Sequence, residues 1–193
     1  VAFIADTALT VADINFAAAT AITAAGAGVT TLTASADDGA VTSYTSTGGG
    51  LVLGATMGTA VTFTGGAGAD AITIGQTTKA NVMGAGNDTV TMLDLLGTGG
   101  SVDGGAGDGD ILIINDVASS GFNDPAGEPR VTNFEVLKLG ALANGSYSAA
   151  GFTAIGQGNT AADVTYTNVG AGVDLAITAT STKKLDVVLA DAT

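Results

Sequence analysis

The sequence predicts an all-β chain, a parallel β-solenoid of the β-roll type, and three observations carry that prediction. Residues Gly65-Gly66-Ala67-Gly68-Ala69-Asp70-Ala71-Ile72-Thr73 fit the nine-residue pattern G-G-x-G-x-D-x-U-x, with U a large apolar residue, at every specified position. Met83-Gly84-Ala85-Gly86-Asn87-Asp88-Thr89-Val90-Thr91 starts eighteen residues later and misses only the first Gly. Eighteen residues are two nonads, one full turn of a roll, so Asp70 and Asp88 are expected on the same side. Short runs elsewhere alternate apolar residues with Thr, as in Val61-Thr62-Phe63-Thr64 and Val164-Thr165-Tyr166-Thr167. The 193 residues include 30 Gly and only 2 Pro, and 12% are charged, about half the usual quarter. Small and β-branched residues suit short strands joined by tight corners.

Along the chain, residues 1–60 read as irregular rungs with inward pairs Leu9/Val11, Ile14/Phe16, Val29/Leu32 and Leu51/Leu53. The Ala-rich stretch from Phe16 to Ala25 could instead form a helix, although Thr20, Ile22 and Thr23 favour extended structure. Residues 61–116 hold the glycine-aspartate repeats. Residues 117–130 contain both prolines and read as a surface loop. Residues 131–193 return to strands, beginning with Phe134-Glu135-Val136-Leu137-Lys138-Leu139. No clean linker divides these regions, so one elongated unit is expected. A start at Val1 and a strand-like end at Val187-Val188-Leu189 read as a piece of a longer chain.

Two Asp residues a turn apart, each in a loop of glycine carbonyls, suit a hard cation that prefers oxygen, and Ca2+ is the natural candidate. Glycine permits the backbone torsions that turn carbonyls toward an ion. The expected first site lies between loops 65–70 and 83–88, with the Asp70 and Asp88 carboxylates and carbonyls around Gly66, Gly68, Gly84 and Gly86. Ile72 and Val90 should point into the core. A third match, Gly104-Gly105-Ala106-Gly107-Asp108-Gly109-Asp110-Ile111-Leu112, begins 21 residues after Met83, so three residues are inserted. A bulge over Gly97 to Ser101 could absorb them. A second Ca2+ is then expected near Gly105 and Gly107, with either Asp108 or Asp110 as its ligand. The intervening nonad 74–82 puts Lys79 where the Asp belongs, so that side should lack metal, with Lys79 able to stand in for the cation against Asp94.

Other functions are excluded or weakly supported. The chain has 18 acidic and 5 basic residues, a net charge of −13, which leaves no basic patch for nucleic acid. With no His, Cys or Trp, the common acid–base, nucleophilic and zinc arrangements are missing. Paired carboxylates can hydrolyse sugars, but six Phe and three Tyr are scattered rather than forming a platform. The chain therefore reads as non-enzymatic. No apolar run reaches the length of a transmembrane segment. An EF-hand fits Asp108-Gly109-Asp110 poorly. The sequons at Asn87 and Asn144 read as chance matches, and Lys183-Lys184 as a solvated strand end.

The nonads resemble the RTX calcium-binding repeats of proteins exported by type I secretion. The wider pattern is similar to bacterial RTX surface-layer (S-layer) proteins. It runs through Phe63-Thr64-Gly65-Gly66, Thr77-Thr78-Lys79-Ala80, Gly99-Gly100-Ser101-Val102, Phe134-Glu135, Gly151-Phe152-Thr153-Ala154 and Thr167-Asn168-Val169. The match covers roughly residues 61–193, and the first sixty more weakly. The resemblance implies a cell-surface, extracellular protein that self-assembles into a two-dimensional lattice through a calcium-stabilised β-solenoid. It also implies lipopolysaccharide anchoring through a region absent here. The variation at Asp108/Gly109/Asp110 and the loop 121–130 depart from the pattern. The alternatives are an RTX adhesin, or the secretion or spacer module of an exported enzyme.

Overall fold

The computed structural model describes residues 1–12, 19–33, 40–115, 130–177 and 182–191. Its early turns comprise β1 (Ala2–Ile4) and β2 (Leu9–Val11), β3 (Ala21–Ala25) and β4 (Thr30–Leu32), and β5 (Ser43–Ser46) and β6 (Leu51–Met57). The repeat region follows with β7 (Thr62–Thr64) and β8 (Ala71–Ile74), β9 (Ala80–Val82) and β10 (Thr89–Met92), and β11 (Ser101–Asp103) and β12 (Ile111–Ile114). The later turns are β13 (Val131–Thr132) and β14 (Val136–Leu139), β15 (Gly145–Ser148) and β16 (Ala154–Gln157), β17 (Val164–Val169) and β18 (Asp174–Ile177), and finally β19 (Leu185–Leu189). Among the described residues there is no helix, and so none long and apolar enough to cross a membrane.

Apart from a break between β13 and β15, successive strands of each sheet pair in parallel with the strand two places on, which is the signature of a solenoid. The even-numbered strands form one continuous nine-stranded sheet, β2 to β18. The odd-numbered strands form a seven-stranded sheet, β1 to β13, and a separate three-stranded sheet of β15, β17 and β19. The fold is thus a β-solenoid of about eight turns. Strand alternation explains the core. Ile72, Val90, Leu112, Leu137 and Ile155 are in register across five turns and all are buried. Ile74, Met92, Ile114 and Leu139 form a second buried column beside them. Burying each such side chain stabilises the fold by roughly 1.5–3 kcal/mol relative to exposure. Phe63 and Tyr44 stack on the facing sheet, and Tyr147 lies in register with Tyr166 near the far end.

Ala21–Ala25 is a strand with Ile22 and Ala24 buried, so this part of the Ala-rich stretch is not helical. Leu51 and Leu53 point inward. Leu9 and Val11 are only half buried, because β2 lies at the end of its sheet with no turn beyond it. The pair Val29/Leu32 is corrected. Positions three apart fall on opposite faces of a strand, and Thr30 takes the inward place with Leu32. Ile14 and Phe16 lie outside the described residues, as does all of 117–130 except Arg130. Arg130 donates from Nη1 to the Leu96 and Gly97 carbonyls, at 3.2 and 2.8 Å. The strand expected from Phe134 starts instead at Val136, with Phe134 and Glu135 in the corner before it.

Candidate metal centre

The chain turns from odd to even strands along one edge, and every glycine-rich loop of the repeats falls there. Loops 65–70, 83–88 and 104–110 stack on successive turns, followed by a short corner at 133–135. Their backbones are very close. A Cβ added at Gly65 would overlap the Met83 carbonyl oxygen. Gly84 has φ +97°, which an L side chain rarely adopts. Ala85 N donates to Gly66 O at 2.6 Å, and Ala106 N to Gly84 O at 2.7 Å. The structure thus brings Gly66, Gly84 and Gly105 together along the stack, with Gly68 below Gly86 and Gly86 below Gly107.

The acidic side chains form a ladder inside this edge. Leu51 N donates to Asp70 Oδ1 at 2.5 Å, Asp70 N to Asp88 Oδ1 at 2.7 Å, and Asp88 N to Asp110 Oδ1 at 2.8 Å. Asp110 N in turn donates to Glu135 Oε2 at 2.9 Å. Each carboxylate therefore accepts a backbone N–H from the turn before it. Asp70, Asp88 and Asp110 are almost wholly buried.

Asp110 rather than Asp108 occupies the place equivalent to Asp88, and the count of residues explains why. Thr89 pairs with Ile111, a step of 22 where Ala71 to Thr89 is 18. Gly104 starts its loop three residues late, so the fourth extra residue lies inside the loop and moves the buried slot from Gly109 to Asp110. Asp108 is exposed beside Asn87 and Gly107. The three residues before the loop are taken up at 93–100, where Gly100 N closes a tight turn on Gly97 O at 3.0 Å.

The ladder carries an uncompensated burden. Asp88 Oδ2 and Asp110 Oδ2 are buried with no hydrogen-bond partner. The hydroxyl of Thr30, which follows a glycine corner on this same edge, is in the same state. Leaving a buried acceptor unpaired costs roughly 1–3 kcal/mol, and more when it is charged. Burial pushes the Asp88 carboxyl up to about 7. The Asp70 N–H opposes that shift, and the neighbouring Asp70 and Asp110 charges add to it. Burial also raises Asp70, against hydrogen bonds from the Leu51 amide, the Ser46 hydroxyl and the Gly66 amide. Asp110 is raised by burial and by the Glu135 and Asp103 charges, against the Asp88 N–H. A proton or a cation at these oxygens would relieve that burden.

The donors fit a hard cation: they are carboxylate and backbone oxygens, with no sulfur or imidazole. Among the described residues, however, no group of three or more acidic side chains is placed to hold a metal alone. A cation here would need loop carbonyls to reach the six to eight oxygens typical of Ca2+.

On the opposite edge the contact expected between Lys79 and Asp94 is not formed. Lys79 is exposed, and Asp94 accepts instead from Gln76 Nε2 at 2.9 Å. The inward polar group there is Asn81, whose Oδ1 accepts Phe63 N at 2.8 Å while its Nδ2 donates to Lys79 O at 3.1 Å. Sequence reasoning missed Asn81, Glu135 and Asp103, the last of which accepts from Gly105 N and from Asn133 Nδ2. Lys183-Lys184 precedes a strand end, and Lys184 pairs with Asp186 at 2.7 Å in solvent. No protein-family model matches this chain, and no curated protein is significantly similar to it.

Proposed function

We propose that this chain is a calcium-organised segment of a bacterial surface-layer protein, a structural plank outside the cell. The observation that carries the calcium part is the ladder of buried carboxylates whose second oxygens, on Asp88 and Asp110, lack partners. Bound Ca2+ would supply the positive charge that these oxygens lack. Asp70, Asp88 and Asp110 keep the turns in register by accepting the amide of the turn below. Gly66, Gly84 and Gly105 let the loops approach closely enough for carbonyl oxygens to join the carboxylates. Without a cation the ladder is a column of like charges in a poorly solvated edge, so ion binding becomes folding free energy. The lattice part rests on the S-layer resemblance, and the long stack of parallel turns is compatible with it.

Circular dichroism and calcium titration calorimetry, with and without chelator, test the metal. Strand signal and melting temperature that ignore calcium would sink the first part. Electron microscopy of the protein with calcium tests the second. A two-dimensional lattice is expected, whereas isolated rods would favour the adhesin or spacer reading.

A further inference from the structure

Ala71, Thr89, Ile111 and Val136 are in register, so the residues just before them form one column: Asp70, Asp88, Asp110 and Glu135. The first three belong to glycine loops that fit the nonad or vary it. Glu135 does not, because only Asn133 and Phe134 separate it from β13. Its corner still reproduces three features of a loop. Asn133 takes φ +56°, in the left-handed region that Gly84 and Gly105 also occupy, and Asn is enriched among the residues that tolerate it. The Asn133 carbonyl oxygen lies where a Cβ on Gly104 would fall, just as the Met83 carbonyl lies against Gly65. Glu135 Oε2 accepts the Asp110 amide at 2.9 Å, as Asp88 Oδ1 accepts the Asp70 amide at 2.7 Å. A glutamate is one CH2 longer than an aspartate, which offsets the shorter corner.

Loop 104–110 and this corner bring together charge with nothing to balance it. Asp110 is wholly buried; its Oδ1 is taken by the Asp88 amide, and its Oδ2 has no partner. The half-buried Glu135 carboxylate touches the amide of the same residue. Among the described residues neither carboxylate is paired with a basic side chain. Asp103 adds negative charge and ties loop to corner, since its Oδ1 accepts Gly105 N at 3.0 Å and Asn133 Nδ2 at 2.8 Å.

We propose that Glu135 closes a third calcium site, between loop 104–110 and corner 133–135, with Asp110 Oδ2 and the Glu135 carboxylate as its charged ligands. Two carboxylates are too few for Ca2+, so carbonyls of the loop and the corner complete its oxygen shell. The inference rests on the calcium reading above and extends it past the nonads. The column holds Leu51 before Asp70 and Thr153 after Glu135, neither of them charged. Four acids thus bracket three gaps, and Asp110, like Asp88, serves the ions on both sides of it.

Native mass spectrometry and calorimetric titration of the chain with calcium chloride test the proposal. Wild type should bind three ions. Glu135→Gln keeps an oxygen for the Asp110 amide but drops the charge. It should bind two ions, with affinity for the third down at least about tenfold, and in chelator it should melt no lower than wild type. Fewer than three ions on wild type, or the same number on both proteins, overturns this site and leaves the calcium reading standing. In that case Glu135 holds register alone, as Asn81 does on the other edge. A wild-type chain that binds no calcium overturns both.

Discussion

The two edges of the solenoid solve one problem with different chemistry. On the glycine edge Asp88 accepts the Asp70 amide, and on the opposite edge Asn81 accepts the Phe63 amide; each bond spans one turn of 18 residues. Asn81 does so as a neutral group whose own amide hydrogens reach Lys79 O and Thr77 Oγ1. Asp88 does so with a buried charge and an orphaned second oxygen. Since an amide suffices for register, the repeated use of carboxylates at Asp70, Asp88 and Asp110 is not explained by register. It is explained if the glycine edge takes up something positive.

Removing calcium should have the largest effect on this contrast. An ion at about 100 times its dissociation constant stabilises a fold by roughly 2.7 kcal/mol per site. Chelation should therefore lower the melting temperature by many degrees, in differential scanning calorimetry, if both loop pairs bind. Asp88→Ala comes next. It strands the buried Asp70 amide, a loss of roughly 1–3 kcal/mol, and removes the carboxylate shared by both candidate sites. Chemical denaturation should show that loss even in chelator, with the calcium-dependent increment largely gone.

Asp88→Asn separates the two roles, because it turns the glycine edge into a copy of the Asn81 edge. In chelator the variant should be at least as stable as wild type, since a buried charge has gone while an acceptor remains. With calcium it should fall below wild type. A variant that still gains full stability from calcium would break the comparison.

The pH dependence follows with its sign. A carboxyl raised from the ordinary 3.8 to about 7 binds its proton more tightly in the fold than in the unfolded chain. Stability in chelator is then greatest below about pH 4 as far as Asp88 is concerned, and declines as pH rises to about 7. Asp70 and Asp110 shift in the same direction. Melting in chelator should thus occur at higher temperature at pH 5 than at pH 8. With calcium the order should reverse, because the ion competes with the proton for the same oxygens.

The sequence made the glycine edge legible where its period was strict. Gly65 to Thr91 repeats at 18 residues, and Ile72 and Val90 are buried as their places in the nonad require. Legibility failed where the turn length changed. The extra residues before Asp110 were divided between a corner and a loop, so no single alignment of the motif could place it. Glu135 stands on a corner too short to hold a nonad. Asn81 is invisible for another reason: its position within a strand sets its role, and no local motif marks a strand Asn that faces inward. Val29 was misplaced because its apolarity outweighed the alternation that puts Thr30 inside.

The smallest effect should come from Lys79, and on its edge the contrast is sharpest. Lys79→Asp puts a carboxylate on an exposed corner, where solvent screens it, so stability should change by less than about 0.5 kcal/mol. No calcium affinity should appear on that edge by calorimetry. Asn81→Asp is the informative counterpart. It keeps the oxygen that Phe63 N uses but buries a charge. It also loses the amide donors to Thr77 and Lys79, for roughly 1–3 kcal/mol of destabilisation. Calcium should not rescue it, since the loop before it, from Gly75 to Lys79, has a single glycine where the other edge has runs of them, and carries the Lys79 cation. If calcium did rescue Asn81→Asp, a buried carboxylate alone would suffice for binding, and the glycine loops would lose their place in the argument.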